Sequence, residues 1–182
     1  MTIAYAGAPG AFAHEAALAF APGHVAIPFV DFPAVADAVA SGAAELGIVP
    51  TDNRRAGAVP GIAELLANPA LVTLSTHELA VRVHLLALPG VRIEEVRMIA
   101  SHPVALAQCA EHLAELGVAT EEASNTAVAA ASLSARDKAV LASAAAAETY
   151  GLAIVKRDMH DDPDNATRFA LIGRAPLAKT GV

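Results

Sequence analysis

Tryptophan is absent from this chain, and aromatic residues together make up only 4% of it. Proteins that bind single-stranded nucleic acid lay bases on aromatic rings, so that function has little to build on here. Net positive charge is missing too. The formal charge is -7, whereas phosphate backbones recruit basic surfaces. No nucleic-acid partner is expected, and any arginine that grips an anion must do so locally, inside a pocket. Cys109 is the sole cysteine, which excludes a disulfide within the chain and suits a reducing compartment. The opening MTIAYAGAPG has no basic region ahead of a long apolar stretch, so it does not read as an export signal. An unbroken apolar run of about 18 residues, the length a membrane-spanning helix needs, is also missing. A cytoplasmic protein with no membrane partner is the expectation.

What is present is core material. Of 182 residues, 55% are hydrophobic and 17% charged, which suits one ordinary domain or two small lobes and argues against disorder. TIAYAG (2–7) reads as a buried strand that ends in GAPG and feeds a helix at AHEAALAF (13–20). HVAIPFV (24–30) is a second strand. DFPAVADAVASG (31–42) is a helix, with Asp31 at its N-cap and Gly42 just past its end. AELGIVPT (44–51) is a third strand, running into the polar turn DNRRAG. IAELLAN (62–68) reads as a helix and the 71–89 stretch as strand. VRMIAS (96–101) is a strand, PVALAQCAEHLAELG (103–117) one helix, and VATEEAS (118–124) a strand. NTAVAAASLS (125–134) is a helix, AVLASA (139–144) a strand and AAAETYG (145–151) a short helix. LAIVKRDM and TRFALIG close the chain as strands around HDDPDN.

Strands alternate with helices, so the fold class is α/β with a mostly parallel sheet. The ELAVRVHLLAL stretch (78–88) reads as a crossover between lobes, and IVKRDM as a return. That predicts a discontinuous first lobe of about 1–78 and 158–182 around a second of about 79–157. In such folds ligands bind outside the carboxyl ends of strands, which is where the polar turns fall.

Taken in order, those turns resemble the catalytic domain of prephenate dehydratases. The matching pieces are GAPGAFAHEAA (7–17), GIVPTDNRRAGAV (47–59), SHPVALAQC (101–109), NTAVAAA (125–131), AAAAETYGLAIV (144–155) and DNATRFALIG (164–173). Singly each is weak; together they span nearly the whole chain. The resemblance implies a two-lobed fold like that of periplasmic binding proteins, with a ligand cleft between lobes. It further implies conversion of the dicarboxylate prephenate to phenylpyruvate with loss of water and CO2, no cofactor and no metal, and a homodimer.

By the same resemblance Thr167, in Thr-Arg-Phe, is the proton donor to the departing ring hydroxyl. A positioned neutral donor suffices, because CO2 leaves at the same time and the ring gains aromaticity. Arg168 supplies a fork of donors suited to a carboxylate. Asn53 hydrogen-bonds substrate, and Ser101, Gln108 and Thr126 line the pocket. Ser101 and Thr126 are also expected to cap the helices that follow them, and Phe169 to pack behind the site.

Three departures bear on this. Gly10-Ala11-Phe12-Ala13 stands where the family shows Gly-Thr-Phe-Ser, and Asp52-Asn53-Arg54 where it shows Glu-Asn-Ser. Arg54 pointing inward would replace lost carboxylate contacts and disfavour arogenate, the amino analogue. The sequence also leaves no room for the phenylalanine-binding ACT domain that many members carry, so the expectation is that the enzyme escapes that control, that regulation comes from elsewhere, or that the sequence is a piece of a longer protein. Alternatives are a prephenate decarboxylase, which would not need Thr167's proton, and a non-catalytic ligand-binding module. HDDPDN (160–165) lacks the mid-loop Gly and terminal Glu of a calcium loop and reads as a solvated turn. GAPGAF lacks the Gly-Lys-Ser/Thr ending of a nucleotide loop. His102 and Cys109 read as structural.

Overall fold

The first amides of a helix have no partner within it, and Asp31 supplies one in the computed structural model, which describes residues 1–176. Its carboxylate accepts from the Ala34 amide at 2.8 Å, and Gly42 (φ 83°) closes the helix Phe32–Ser41 in the left-handed region. That helix is α2. Before it come β1 (Thr2–Ala6), α1 (Phe12–Phe20) and β2 (Val25–Phe29). β3 (Leu46–Asn53), β4 (Gly57–Ala58), α3 (Ile62–Leu66) and β5 (Leu71–Ala80) follow. The chain continues through β6 (His84–Ala87), β7 (Met98–Ser101), α4 (Pro103–Ala107), α5 (Ala110–Leu116), β8 (Ala119–Glu122) and α6 (Thr126–Ala131). It ends with β9 (Lys138–Ala142), α7 (Ala144–Tyr150), β10 (Ala153–Lys156) and β11 (Ala166–Arg174). Among the described residues no helix is long and apolar enough to cross a membrane.

Two compact units form. Among the described residues the first comprises 1–7, 13–80 and 166–176; the second comprises 8–12 and 81–165. The 158–165 stretch, expected with the first lobe, belongs with the second. The first sheet runs β2-β1-β3-β11-β5, with β4 on β3, and the second runs β10-β6-β9-β7-β8. Both sheets are mixed, not mostly parallel. β11 enters antiparallel between β3 and β5, and β6 lies antiparallel to both β10 and β9. Alternation of strands and helices along a chain does not reveal a returning strand that inserts between two earlier ones.

Period-two alternation sorts the first sheet's core. Ile3, Tyr5, Ile48 and Phe169 pack with Ala16 and Ala17 of α1. Ala4, Val49, Ala170 and Ile172 pack with Val35 and Val39 of α2 and Ile62 of α3. Each fully buried Val or Ile stabilises the fold by about 1.5–3 kcal/mol. The single helix expected over 103–117 is two. Cys109 leaves helical geometry at φ -121° and ψ 18°, and a new helix begins with amides donating to Asp161 from Glu111 (3.2 Å) and His112 (3.4 Å). HDDPDN is therefore a helix cap and not simply a solvated turn.

The second unit begins and ends in a laced pair of segments. Val81 N–H donates to Asn165 O and Met159 N–H to Val83 O, at 2.8 and 2.7 Å. The Asp158 amide donates to His84 Nδ1 at 3.1 Å, which requires that nitrogen to be unprotonated. His84 is 5% exposed. Burial holds its pKa below the ordinary 6.5, against the opposing pull of Asp158. The unfolded chain then binds a proton that the folded chain resists, so stability is retained above about 6.5 and lost as pH falls toward the depressed folded value. Asn at position 84 keeps an acceptor and does not titrate. Melting wild type and His84→Asn across pH 7.5 to 5.5 is expected to show a smaller fall in Tm for the variant; equal slopes would remove His84 from the acid response.

Candidate functional site

Asn53 ends β3 opposite Thr167, near the start of β11. Its amide orientation follows from its neighbours. Oδ1 accepts the main-chain N–H groups of Arg55 and Ala56 at 2.9 and 3.0 Å, so Nδ2 must face the other way. There it donates to Thr167 Oγ1 at 2.9 Å and to Ala166 O at 3.2 Å. The half-buried Thr167 hydroxyl thus accepts from Asn53, while its own proton has no acceptor among the described residues. A hydroxyl held this way has its proton free to give, and an N–H on its oxygen is placed where it could stabilise negative charge there.

Arg168 does not share that face. Adjacent strand residues point to opposite sides. Thr167 pairs with Asn53 and Leu79, whereas Arg168 pairs with Asp52 and Glu78. The Arg168 guanidinium lies 3.1 Å from Glu78 and 3.6 Å from Asp52. Arg54 donates to the other Glu78 oxygen at 2.8 Å. One carboxylate therefore ties two guanidiniums, in a row of two positive and two negative groups. Hydrogen bonds from Arg54 and then Arg168 hold the Glu78 carboxyl below its usual range. Arg168, expected to fork onto a substrate carboxylate, is turned onto protein carboxylates, and Arg54, expected to be an extra cation for substrate, is neutralised by Glu78. Glu78 was missed by sequence reasoning. It sits in a strand-like run with no turn signal, and only the pairing of β5 with β11 brings it beside Arg168.

In the second unit Ser101 is fully buried and donates to Leu141 O at 2.7 Å. It is the last residue of β7 and not the cap of α4. That cap is His102, whose Nδ1 accepts from Val104 N–H at 3.2 Å, the structural role expected of this histidine. Likewise α6 is capped by Asn125, accepting from Ala127 N–H at 2.8 Å, so Thr126 is its first helical residue. In both cases the residue in extended geometry just before the helix caps it. Gln108 lies at the C-terminal end of α4, so it sits away from the helix start where Ser101 and His102 lie. Burial, and then Asp161, push the Cys109 thiol up to about 12; a thiol so rarely ionised is no nucleophile. Phe169 packs as core, 2% exposed.

The GAPG turn is fastened to α7. Ser143 caps that helix, accepting from Ala146 N–H at 3.1 Å, and its hydroxyl donates to Gly10 O at 2.7 Å. Tyr150 OH donates to Pro9 O at 2.6 Å. Two segments more than 130 residues apart in sequence are thereby one structural unit. Ala11 and Ala13, standing where hydroxyls were expected, flank Phe12, whose ring packs on the second unit's core. Among the described residues no group of three or more His, Cys, Asp or Glu is placed to hold a metal ion.

Comparison with known proteins extends this reading. The family model for prephenate dehydratase matches residues 3–177. An Arabidopsis thaliana arogenate dehydratase/prephenate dehydratase is 38% identical over 96% of this chain and 47% of its own length. The chain thus spans about half the length of the curated relatives it matches. Among solved structures, GqqA, described as a novel type of quorum-quenching acylase, superimposes with a TM-score of 0.90 at 35% identity, covering 98% of this chain and 66% of that one. A prephenate dehydratase from Arthrobacter aurescens, solved in complex with L-Phe, has a TM-score of 0.84 at 26% identity, covering 100% of this chain and 63% of the other. Lipoprotein Tp32 from Treponema pallidum and a nutrient binding protein from Burkholderia cenocepacia, at 13% and 12% identity and TM-scores of 0.50, share the fold alone.

Proposed function

The chain belongs to the prephenate dehydratase family, and from that premise we propose that it converts prephenate to phenylpyruvate, water and CO2 in aromatic amino acid biosynthesis. The observation that carries this is the Asn53–Thr167 hydrogen bond at 2.9 Å. Thr167 donates its proton to the ring hydroxyl as the C–O bond breaks. The ring carboxylate leaves as CO2, its bonding electrons complete the aromatic ring, and the departing group is water. Thr167 recovers a proton from solvent, while Asn53 holds the transient oxygen charge. No proton is abstracted from carbon, so no general base is required. A decarboxylase that keeps the hydroxyl would have no use for a threonine oriented in this way.

Gln108 and Thr126 stay in this proposal as substrate contacts. Ser101, fully buried with its proton on Leu141 O, instead ties the end of β7 to β9. The charge row beside Arg54 is neutral overall, so it does not repel an ammonium group, and arogenate joins prephenate as a candidate substrate. A reducing cytoplasm suits the single buried cysteine, and a homodimer completes the reading, to be checked by light scattering. The test is incubation with prephenate and, separately, arogenate, with products followed by alkaline ultraviolet absorbance and mass spectrometry. Phenylpyruvate or phenylalanine supports the reading; a non-aromatic product still carrying the hydroxyl, or unchanged substrate, refutes it.

Amide hydrolysis is a second reading, favoured by the likeness to GqqA and by one pair on β5. Ser75 Oγ lies 2.8 Å from His77 Nε2, and that ring stacks on Phe20 at 4.7 Å. A hydroxyl–imidazole contact is one arrangement that activates a nucleophile for acyl transfer. Ser75→Ala is expected to abolish any acyl-homoserine lactone cleavage and to leave prephenate turnover intact; cleavage that survives the substitution removes this pair from it.

A further inference from the structure

β3 carries one residue too many. Its ladder to β11 pairs Pro50 with Phe169 and then jumps to Asp52 with Arg168 and Asn53 with Thr167. Thr51 is the extra residue, a bulge beside a proline that has no N–H to give the ladder. The bulge decides which side chain meets Thr167. Without it the pairs would be Thr51 with Arg168 and Asp52 with Thr167, since a one-residue slip moves every side chain to the other face. An ionised Asp52 only accepts hydrogen bonds. Beside Thr167 it would take the proton that the reaction needs.

The observed register is held from the opposite face. Arg168 reaches Asp52 on one side and Glu78 on the other. Glu78 in turn draws in Arg54, the residue after Asn53. Thr51 Oγ1 lies 2.8 Å from Asp52 Oδ2 and 3.2 Å from Arg168 O, so the bulge is tied to the same row. We propose that Glu78 is a positioning residue which, through Arg168 and Arg54, keeps β3 in the register that sets Asn53 and not Asp52 against Thr167. The proposal rests on the reading of Thr167 as proton donor. It gives the conspicuous arginine of Thr-Arg-Phe a role without substrate contact.

Steady-state kinetics on prephenate tests it, with circular dichroism melts confirming that each variant is folded. Glu78→Ala is expected to lower kcat by about tenfold or more, the scale of a misplaced catalytic group, with KM changed less than about threefold. Glu78→Gln, which keeps one acceptor for an arginine, is expected to fall between it and wild type. Adding Asp52→Asn to Glu78→Ala is expected to recover most of the lost kcat, because an amide cannot withdraw the Thr167 proton as a carboxylate does. A Glu78→Ala enzyme with wild-type kcat, a loss that Asp52→Asn does not recover, or a rise in KM alone would each overturn the proposal. A wild-type chain that fails to turn over prephenate or arogenate would sink the functional reading instead.

Discussion

Thr167→Ala is expected to lower kcat on prephenate by about 10²-fold or more, with KM moving little, while Thr167→Ser keeps most of the activity. The size follows from what a positioned proton donor contributes. A donor that acts on the departing oxygen makes its interaction chiefly in the transition state, so losing it lowers kcat more than it raises KM. Serine retains Oγ within reach of Asn53 Nδ2, which now donates to Thr167 at 2.9 Å, and forfeits only the methyl group that restricts the rotamer. Single-turnover rates beside steady-state constants would separate chemistry from product release. Wild-type turnover by the alanine variant would take Thr167 out of the mechanism and with it the meaning of the Asn53 contact.

Gly10→Ala is expected to cost clearly more stability than the same change at Gly23. Gly10 has φ 83°, and an added Cβ would sit 2.8 Å from the Ala146 Cα, a backbone atom that cannot swing away. Left-handed geometry costs a non-glycine residue about 1–2 kcal/mol, and overpacking adds about 1–3 kcal/mol. Gly23 provides the control. Its φ is 85° and nothing lies within 4 Å of an added Cβ, so Gly23→Ala carries the backbone cost alone. Chemical denaturation of both variants should separate them by about 1–3 kcal/mol. Equal losses would show that the close approach of the GAPG turn to α7 is not a constraint.

Legibility in the sequence varied with the range of the interaction. Asp31 and Gly42 were readable because a cap acts within four residues, and the observed helix begins and ends where they predict. Caps failed where two polar candidates stood side by side. Ser101-His102 and Asn125-Thr126 each offer two side chains, and the choice fell to the residue left in extended geometry before the helix. The helix expected across 103–117 broke at Cys109 because Asp161, some fifty residues away, supplies acceptors for a second start. Nothing near Cys109 announces that partner.

By itself the residue order determined the alternation of strands and helices, the family to which six separated motifs point, and the choice of Thr167 as proton donor and, separately, of Asn53 as a substrate contact. The tertiary structure alone decided that the sheets are mixed, that Arg168 faces away from Thr167, and that Glu78 belongs to the same row of charges. The physical reason is strand pairing. A strand side chain's face is set by register against its neighbours, and one extra residue at Thr51 inverts that register for everything beyond it. Neighbours in sequence can therefore stand on opposite sides of a sheet, while Glu78, 90 residues from Arg168, completes the cluster.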